Sequence, residues 1–181
     1  MIHRIARLSI AAAALALACT PPAASAALAV GAKAPDFSTR GALAGKLLNV
    51  HLAELLKKGP VVLYFFPAAF TPGCSAEARE FAENIEAFKK AGASVLGMSA
   101  DPVDKLADFS AKECANKFAV ASAGPAIISG YDVALQQRAG LTNRTSYVIA
   151  KTGRVIFVHS DLSYAEHVKK TLAAVQALRG S

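Results

Sequence analysis

Several patterns that would assign a function directly are missing from this sequence. No apolar run reaches the roughly 20 residues of a membrane-spanning helix, because the run at residues 8–18 is too short. Basic clusters interleaved with aromatic side chains, which are typical of nucleic-acid binding, are absent, and the net charge of +7 is spread along the chain. These absences favour a protein that binds neither nucleic acid nor, in its mature form, a membrane.

The chain also lacks repeats, low-complexity segments and internal linkers after residue 26. Before that point, two arginines precede the apolar run, and Ala-Ser-Ala at residues 24–26 is a small-residue cleavage site. The pattern predicts a signal peptide over residues 1–26 and one domain over residues 27–181, exported to the periplasm or secreted. A lipid anchor at Cys19 is the disfavoured alternative, because the leucine ahead of it stands one place from its usual position.

Apolar periodicity predicts alternating strands and helices. An unbroken apolar run at residues 61–66 is typical of a central strand covered on both faces. The order of elements predicts an α/β fold, a central mixed β-sheet flanked by helices, with parallel crossovers first and an antiparallel hairpin near the end. The segment up to residue 46 is predicted to be an extended lead-in. The predicted strands are residues 47–51, 61–66, 94–99, 118–122, 145–150 and 154–159, and the predicted helices are residues 52–58, 75–90, 127–131, 164–178 and one that begins with Asp101 as N-cap and Pro102 as its first residue.

Cys74 is the strongest candidate for chemistry. It follows a predicted strand and a proline-containing loop and stands directly before an amphipathic helix, where free backbone N–H groups and the helix dipole stabilise a thiolate. The hydroxyl of Thr71, three residues earlier, can turn towards the sulfur, and Pro67 and Pro72 stiffen the loop. These features indicate a reactive thiol, with a buried, inert cysteine as the alternative.

Residues 65–74, Phe-Phe-Pro-Ala-Ala-Phe-Thr-Pro-Gly-Cys, resemble the active-site motif P-x-x-x-T-x-x-C of the peroxiredoxin family. Residues 95–101 resemble the next strand and turn of that family, and residues 143–149 resemble the segment that carries its active-site arginine. The branch that the chain most resembles is peroxiredoxin Q, also called bacterioferritin comigratory protein. The likeness extends from about residue 28 to residue 178.

This resemblance implies a thioredoxin-like fold and a thiol-dependent peroxidase that needs no cofactor. Cys74 is then the peroxidatic nucleophile, Thr71 bonds the sulfur and the peroxide, Pro67 shields the pocket, and Arg144 orients both. The implied partners are a hydroperoxide substrate, either hydrogen peroxide or an organic hydroperoxide, and a thioredoxin-like dithiol reductant. The implied assembly is a monomer.

A sulfenic acid on Cys74 must condense with a second thiol before it is over-oxidised, and Cys114 is the one other cysteine left after signal-peptide removal. The peroxiredoxin Q branch places its resolving cysteine either five residues after the nucleophile or in the following helix. Position 79 is Arg, so the second option remains, and Cys114 stands near the predicted end of that helix. Its helix end would have to unwind for a disulfide to form. A buried structural Cys114 in a one-cysteine enzyme is the alternative.

Other activities of related folds find less support in the sequence. A disulfide oxidoreductase needs Cys-x-x-Cys, but Cys74 is followed by Ser-Ala-Glu, and a copper-delivering relative would need a cysteine where Ala78 stands. A non-catalytic binding module with a vestigial site is the remaining alternative.

The other polar and aromatic residues near the motif are predicted to have structural roles. Glu77 and Arg79 are expected at solvated helix positions, and Tyr64 and Phe66 in the core. No metal site is predicted, because the histidines stand at no ligand spacing from each other or from a cysteine; those considered are His51, His159 and His167.

Overall fold

A computed structural model describes residues 27–178. The predicted signal peptide, Cys19 and the last three residues lie outside this range. The elements in chain order are β1 (Ser38–Leu43), β2 (Lys46–His51), α1 (Leu52–Lys58), β3 (Val61–Phe65), α2 (Pro72–Glu83), α3 (Ile85–Lys90), β4 (Ser94–Ser99), α4 (Val103–Lys112), β5 (Ala119–Ser122), α5 (Pro125–Gly130), β6 (Thr145–Ile149), β7 (Val155–Ser160) and α6 (His167–Ala177).

The strands form one seven-stranded sheet in the order β2-β1-β5-β4-β3-β6-β7. β3, β4 and β5 are parallel neighbours, whereas β6 is antiparallel to both β3 and β7, and β1 is antiparallel to both β2 and β5. The predicted α/β fold with a mixed sheet is confirmed, including the hairpin of β6 and β7. Parallel crossovers require connecting helices, which is why helices cover both faces.

β3 is buried along its whole length and divides the core into two clusters. Val62 and Tyr64 face one cluster, packed against α2, α3, α4 and α6, and Val61 and Leu63 face the other. Tyr64 and Phe66 are both fully buried, as predicted. Because Cys74 belongs to the first cluster, the helix that carries it is fixed by apolar packing against the sheet.

The prediction of an extended lead-in up to residue 46 was wrong, because β1 lies within it. β1 is inserted between β2 and β5, and its Gly41 is opposite Leu48 on one side and Ala121 on the other. A Cβ atom at Gly41 would lie 2.7 Å from the carbonyl oxygen of Val120. The glycine that weakens the strand pattern in the sequence is therefore required by the close approach of β5.

Two helix predictions need correction. The predicted helix over residues 75–90 is two helices, α2 and α3, separated at Asn84, whose side-chain amide donates to the carbonyl of Glu80 at 2.9 Å. The predicted N-cap Asp101 does not cap α4, which begins at Val103 after an extended Pro102. The helix breaks at Asn84 because its side chain competes for backbone hydrogen-bonding groups. Asp101 does not cap α4 because its carboxylate accepts from the loop before Cys74, at the N–H of Ala69.

The last helix, α6, begins three residues later than predicted, at His167. Within residues 27–178, no helix has both the length and the apolar character needed to cross a bilayer.

We expect Gly41→Ala to lower the free energy of unfolding by about 1–3 kcal/mol, because the new methyl group meets backbone that cannot move without disturbing the sheet. Gly130→Ala is the control, since its Cβ would make ordinary contacts of 3.5 Å or more with Pro35. Urea unfolding of both variants measures the effect. Equal stability of the two variants would show that β1 and β5 are not held as closely as described.

Candidate active site

The loop between β3 and α2 positions Cys74. Thr71 is the N-cap of α2 in an extended conformation, Pro72 is the first helical residue, and Cys74 stands in the first turn. Proline fits this position because its missing N–H would have no partner within the helix. Cys74 was predicted directly before this helix, but α2 begins three residues earlier than predicted and includes Cys74. Its side chain is 1% exposed, so access to the sulfur is restricted.

Contacts from two neighbouring segments anchor this loop. The hydroxyl of Thr142 donates to the carbonyl of Phe66 at 2.6 Å. The carboxylate of Asp101 accepts from the backbone N–H of Ala69 at 2.7 Å and from the hydroxyl of Ser99 at 2.8 Å. Asp101 thus bonds the loop through one carboxylate oxygen, while its other oxygen accepts from the ammonium of Lys105 in α4 at 2.7 Å. The bonds from Thr142 and Asp101 hold the residues that precede Cys74.

Phe70 adopts a left-handed backbone conformation with φ +68°, which is uncommon for a bulky residue. Its ring meets Phe109 of α4 edge-on at 5.3 Å between centroids, and the ammonium of Lys112 lies 5.9 Å from the ring centroid. The side chain is 40% exposed. Strain of this kind persists only where surrounding contacts fix the backbone, so the loop is held in one conformation.

Arg144 precedes β6 and reaches Cys74 with its guanidinium. Nη2 lies 3.4 Å from Cys74 Sγ, Nη1 donates to Glu77 Oε2, and Nε donates to the carbonyl of Leu162 at 2.9 Å. The side chain is almost fully buried. Burial opposes the charge of Arg144, but Glu77 and Cys74 outweigh burial and raise the pKa of its guanidinium. The site therefore holds a cation directly beside the sulfur.

Gly73 leaves room for this contact. A Cβ atom at Gly73 would lie 3.4 Å from Arg144 Nη2 and 3.7 Å from the ring of Tyr164. The distance to Nη2 is tighter than an ordinary contact, so a larger residue would press on the guanidinium. Tyr164 is half-exposed, which places its ring at the edge of the site.

Glu77 is the site residue that sequence reasoning missed. Its predicted solvated position was wrong, because the side chain is fully buried and paired with Arg144. Burial raises the pKa of Glu77 to about 8, against the opposing charge of Arg144. The available signal was its spacing, since residues three apart on a helix share a face and Cys74 faces inward.

His167 lies behind Glu77. Its Nε2 is 2.9 Å from the carbonyl of Asp161 and its Nδ1 is 2.8 Å from the hydroxyl of Ser146 and 3.8 Å from Glu77 Oε1. A carbonyl only accepts, so in the neutral ring Nε2 carries the proton and Ser146 donates to Nδ1. Burial lowers the pKa of His167 to about 4. Glu77 Oε1 has no hydrogen-bond partner among the described residues.

The fold brings together two histidines that looked scattered in the sequence. The rings of His159 and His167 are 4.6 Å apart between centroids, whereas His51 is near the other end of the sheet, 3.0 Å from a carboxylate oxygen of Asp36. Across residues 27–178, no three histidine, cysteine or carboxylate side chains are grouped as metal ligands would be.

Thr71 and Pro67 lie in the loop before Cys74, as predicted. The Thr71 hydroxyl is exposed, whereas Pro67 is half-buried. The hydroxyl of Thr71 is exposed and donates to the carbonyl of Ala68 at 2.9 Å. Pro67 is half-buried at the beginning of the loop. Their roles towards a peroxide stay predictions.

Cys114 follows directly after the end of α4. Its side chain is fully buried in the same apolar cluster as Cys74, and both are free thiols. Burial raises the pKa of the Cys114 thiol far above its ordinary value, and the nearby Glu113 adds to this effect. The two sulfurs thus occupy contrasting surroundings: Cys74 has a cation beside it, and Cys114 is held in its neutral form.

Known proteins resemble this chain in sequence and in fold. The AhpC/TSA family model matches residues 30–158. The chain is 35% identical over 164 residues to the chloroplastic peroxiredoxin Q of Gentiana triflora, covering 87% of this chain and 74% of the relative. It is 32% identical over 149 residues to that of Oryza sativa subsp. japonica, covering 82% and 67%. The crystal structure of peroxidoxin BcpB from Mycobacterium tuberculosis superimposes with a TM-score of 0.74 and 33% identity, covering 83% of this chain and 97% of that one.

The raised pKa of Glu77 predicts a pH-dependent stability. A carboxyl whose pKa is higher when folded contributes stability that is present below the unfolded value near 4.5 and is lost as pH rises through about 8. The lowered pKa of His167 changes stability mainly below pH 6.5. Between pH 6.5 and 8, the pH dependence of stability therefore reports mainly on Glu77. We expect wild-type stability to fall over this window and Glu77→Gln to remove most of the fall.

Urea unfolding at several pH values between 6.5 and 8 measures this slope. Glu86→Gln is the control, because Glu86 is an exposed glutamate on α3. A Glu77→Gln slope equal to that of wild type would mean that Glu77 is ionised throughout.

Proposed function

Since the chain belongs to the AhpC/TSA family and is a thiol-dependent peroxidase, we propose that Cys74 is its peroxidatic residue. The observation that carries this proposal is the 3.4 Å contact between Arg144 Nη2 and Cys74 Sγ in the first turn of α2. A cation and a helix N-terminus both favour the negatively charged sulfur, and the thiolate is the nucleophile. In this proposal, the peroxide binds at a buried position beside both the Cys74 sulfur and the Arg144 guanidinium.

In the proposed reaction, the Cys74 thiolate attacks one oxygen of the hydroperoxide. A sulfur–oxygen bond forms, the O–O bond breaks, and the bonding electrons leave with the second oxygen, which takes up a proton and departs as an alcohol or water. The sulfur is left as a sulfenic acid. Negative charge grows on the departing oxygen, where the fixed N–H donors of Arg144 stabilise it.

We assign supporting roles to Thr71 and Pro67. The hydroxyl of Thr71 donates to the carbonyl of Ala68, so donation to a peroxide oxygen requires a rotation of its side chain. Pro67 stands at the beginning of the loop and limits the freedom of its backbone, which would keep water and larger molecules from the sulfur.

The proposed second step uses Cys114. Its thiol condenses with the Cys74 sulfenic acid to give an intramolecular disulfide and water, and a thioredoxin-like dithiol protein reduces that disulfide. The complete burial of Cys114 is the observation that favours the second candidate, a one-cysteine peroxidase in which an external thiol reduces the sulfenic acid directly.

We also propose that the enzyme is exported, on the basis of the predicted signal peptide over residues 1–26, and that it is a monomer, as the resemblance to the peroxiredoxin Q branch implies. Cytoplasmic thioredoxin does not reach an exported enzyme directly, so the reductant proposed here is a dithiol protein of the same compartment.

Mass analysis of the reduced protein after one equivalent of hydrogen peroxide tests the two cysteines. We expect wild type to lose two hydrogens as a Cys74–Cys114 disulfide forms. Cys74→Ser should consume no peroxide, because the nucleophile is gone. Cys114→Ser should consume the first equivalent at the wild-type rate and then retain oxygen on Cys74. Full peroxide consumption by Cys74→Ser would overturn the proposed function, whereas oxygen on Cys74 in wild type would favour the one-cysteine enzyme.

Arg144→Gln tests the charge at the site. We expect the second-order rate constant for the first oxidation of Cys74 to fall about 10²–10³-fold, as when a fixed donor is removed from a site of developing charge. Stopped-flow peroxide consumption under single-turnover conditions measures it. Arg40→Gln is the charge-matched control, since Arg40 is exposed on β1. A loss of less than about threefold would exclude a direct role for Arg144.

A further inference from the structure

Cys114 lies in a turn that is attached to α2, the helix that carries Cys74. We call residues 113–117 the Cys114 turn. Arg79 of α2 forms an ion pair with Glu113, with 2.7 Å between Nη2 and Oε2. On the other side of the cysteine, the ammonium of Lys117 donates to the carbonyl of Ala82, also in α2, at 3.0 Å. Both flanks of the turn are thus connected to the helix of the partner thiol.

The backbone of the same turn is strained. Ala115 has φ +49° and Asn116 has φ +61°, so two consecutive residues that are not glycine adopt the left-handed conformation. Asparagine tolerates this region, but alanine does so at a cost. The turn is closed by backbone bonds from Cys114 to Phe109 at 3.2 Å and from Asn116 to Ser110 at 3.2 Å. Opening it would relieve the strain at the loss of these bonds and of the two side-chain connections.

Packing around the turn leaves two buried oxygens without a hydrogen-bond partner among the described residues: the Tyr64 hydroxyl, and Glu113 Oε2, whose contact with Arg79 is an ion pair only. The ring of Tyr64 stacks on Phe81 of α2 and meets Phe118, just after the turn, edge-on. Its hydroxyl is buried and has no hydrogen-bond partner among the described residues. Burial, and then the nearby Cys114, raise the pKa of Tyr64. The closed turn therefore combines backbone strain with an unpaired hydroxyl, and it requires outside contacts to stay closed.

We propose that Arg79 and Lys117 are positioning residues that set the rate of disulfide formation, by holding the Cys114 turn closed against α2. Opening of the turn frees Cys114 to attack the Cys74 sulfenic acid, which forms the S–S bond and releases the sulfenic oxygen as water. The inference rests on the proposed resolving role of Cys114. Arg79 acts through Glu113 and Lys117 through Ala82, and neither side chain touches the reacting sulfur of Cys74.

The opening can be measured without peroxide chemistry. In a Cys74→Ser background, the buried Cys114 reacts with a thiol reagent such as N-ethylmaleimide when the turn opens. We expect Arg79→Gln and Lys117→Gln each to raise the labelling rate about two- to fivefold, as for the loss of an exposed or half-exposed charge contact. Ala115→Gly should lower it about twofold or more, because glycine relieves the strain of the closed turn. Lys89→Gln is the control, since it breaks an exposed ion pair with Glu86 on α3, and it should leave the rate unchanged.

The same substitutions in the protein with both cysteines connect opening to catalysis. The rate of disulfide formation after one equivalent of hydrogen peroxide, followed by acid quench, alkylation and mass analysis, should change by the same factors. The initial oxidation of Cys74 should not change. Labelling rates that do not respond to Arg79→Gln or Lys117→Gln would overturn the inference, whatever happens to the disulfide.

A third result separates the inference from the proposed function. If labelling responds as expected but no Cys74–Cys114 disulfide forms in wild type, the resolving role of Cys114 and the catalytic part of the inference both fail. If the disulfide forms at a rate that Arg79→Gln does not change, the proposed resolution stands and the positioning role of Arg79 is wrong.

Discussion

The buried guanidinium of Arg144 is the constraint on which the site depends. A charge removed from water is stable only when its donors are satisfied, and three partners from two parts of the chain satisfy this one: Cys74 and Glu77 from α2, and the carbonyl of Leu162 from the loop after β7. The position of the sulfur relative to the sheet is therefore fixed by electrostatics as well as by packing. Glu77, on the face of α2 that carries the cysteine, accepts from this guanidinium at the same depth.

The sheet explains why these parts meet. The loop before Cys74 leaves the end of β3, Asp101 follows β4, and Arg144 precedes β6, which runs antiparallel beside β3. Parallel strands bring their carboxyl ends to one edge, and an antiparallel neighbour brings its beginning to the same edge. The carboxylate of Asp101 and the hydroxyl of Thr142 then hold the loop backbone at Ala69 and Phe66. A loop with a strained Phe70 is thereby kept in one conformation around the sulfur.

Much of this could be predicted from the sequence, because the signals are local. The apolar run of β3 and the cysteine at a helix start are read from neighbouring residues, and the resemblance of residues 143–149 to a family segment drew attention to Arg144. The buried Glu77 was missed although its spacing from Cys74 places both on one face of α2, since a glutamate on a helix is normally exposed and its partner stands 67 residues away. Asp101 was assigned to the helix after it because the loop that competes for its carboxylate is distant in sequence. β1 was missed because Gly41 weakens the strand pattern. The glycine is required by the close approach of the β5 backbone, which is visible only in three dimensions.

The two cysteines differ in how far their surroundings suit the proposed chemistry. Cys74 has its charge partner in place, because Arg144 Nη2 lies 3.4 Å from its sulfur. Cys114 has the opposite surroundings, because it is fully buried with a raised pKa and stands beside backbone in the left-handed region. A thiol held neutral and covered is a poor nucleophile, so in the proposed mechanism the fold protects Cys114 from direct oxidation while Cys74 reacts. In the proposed resolution, the strained Cys114 turn opens while α2, packed against the sheet, keeps Cys74 beside the arginine.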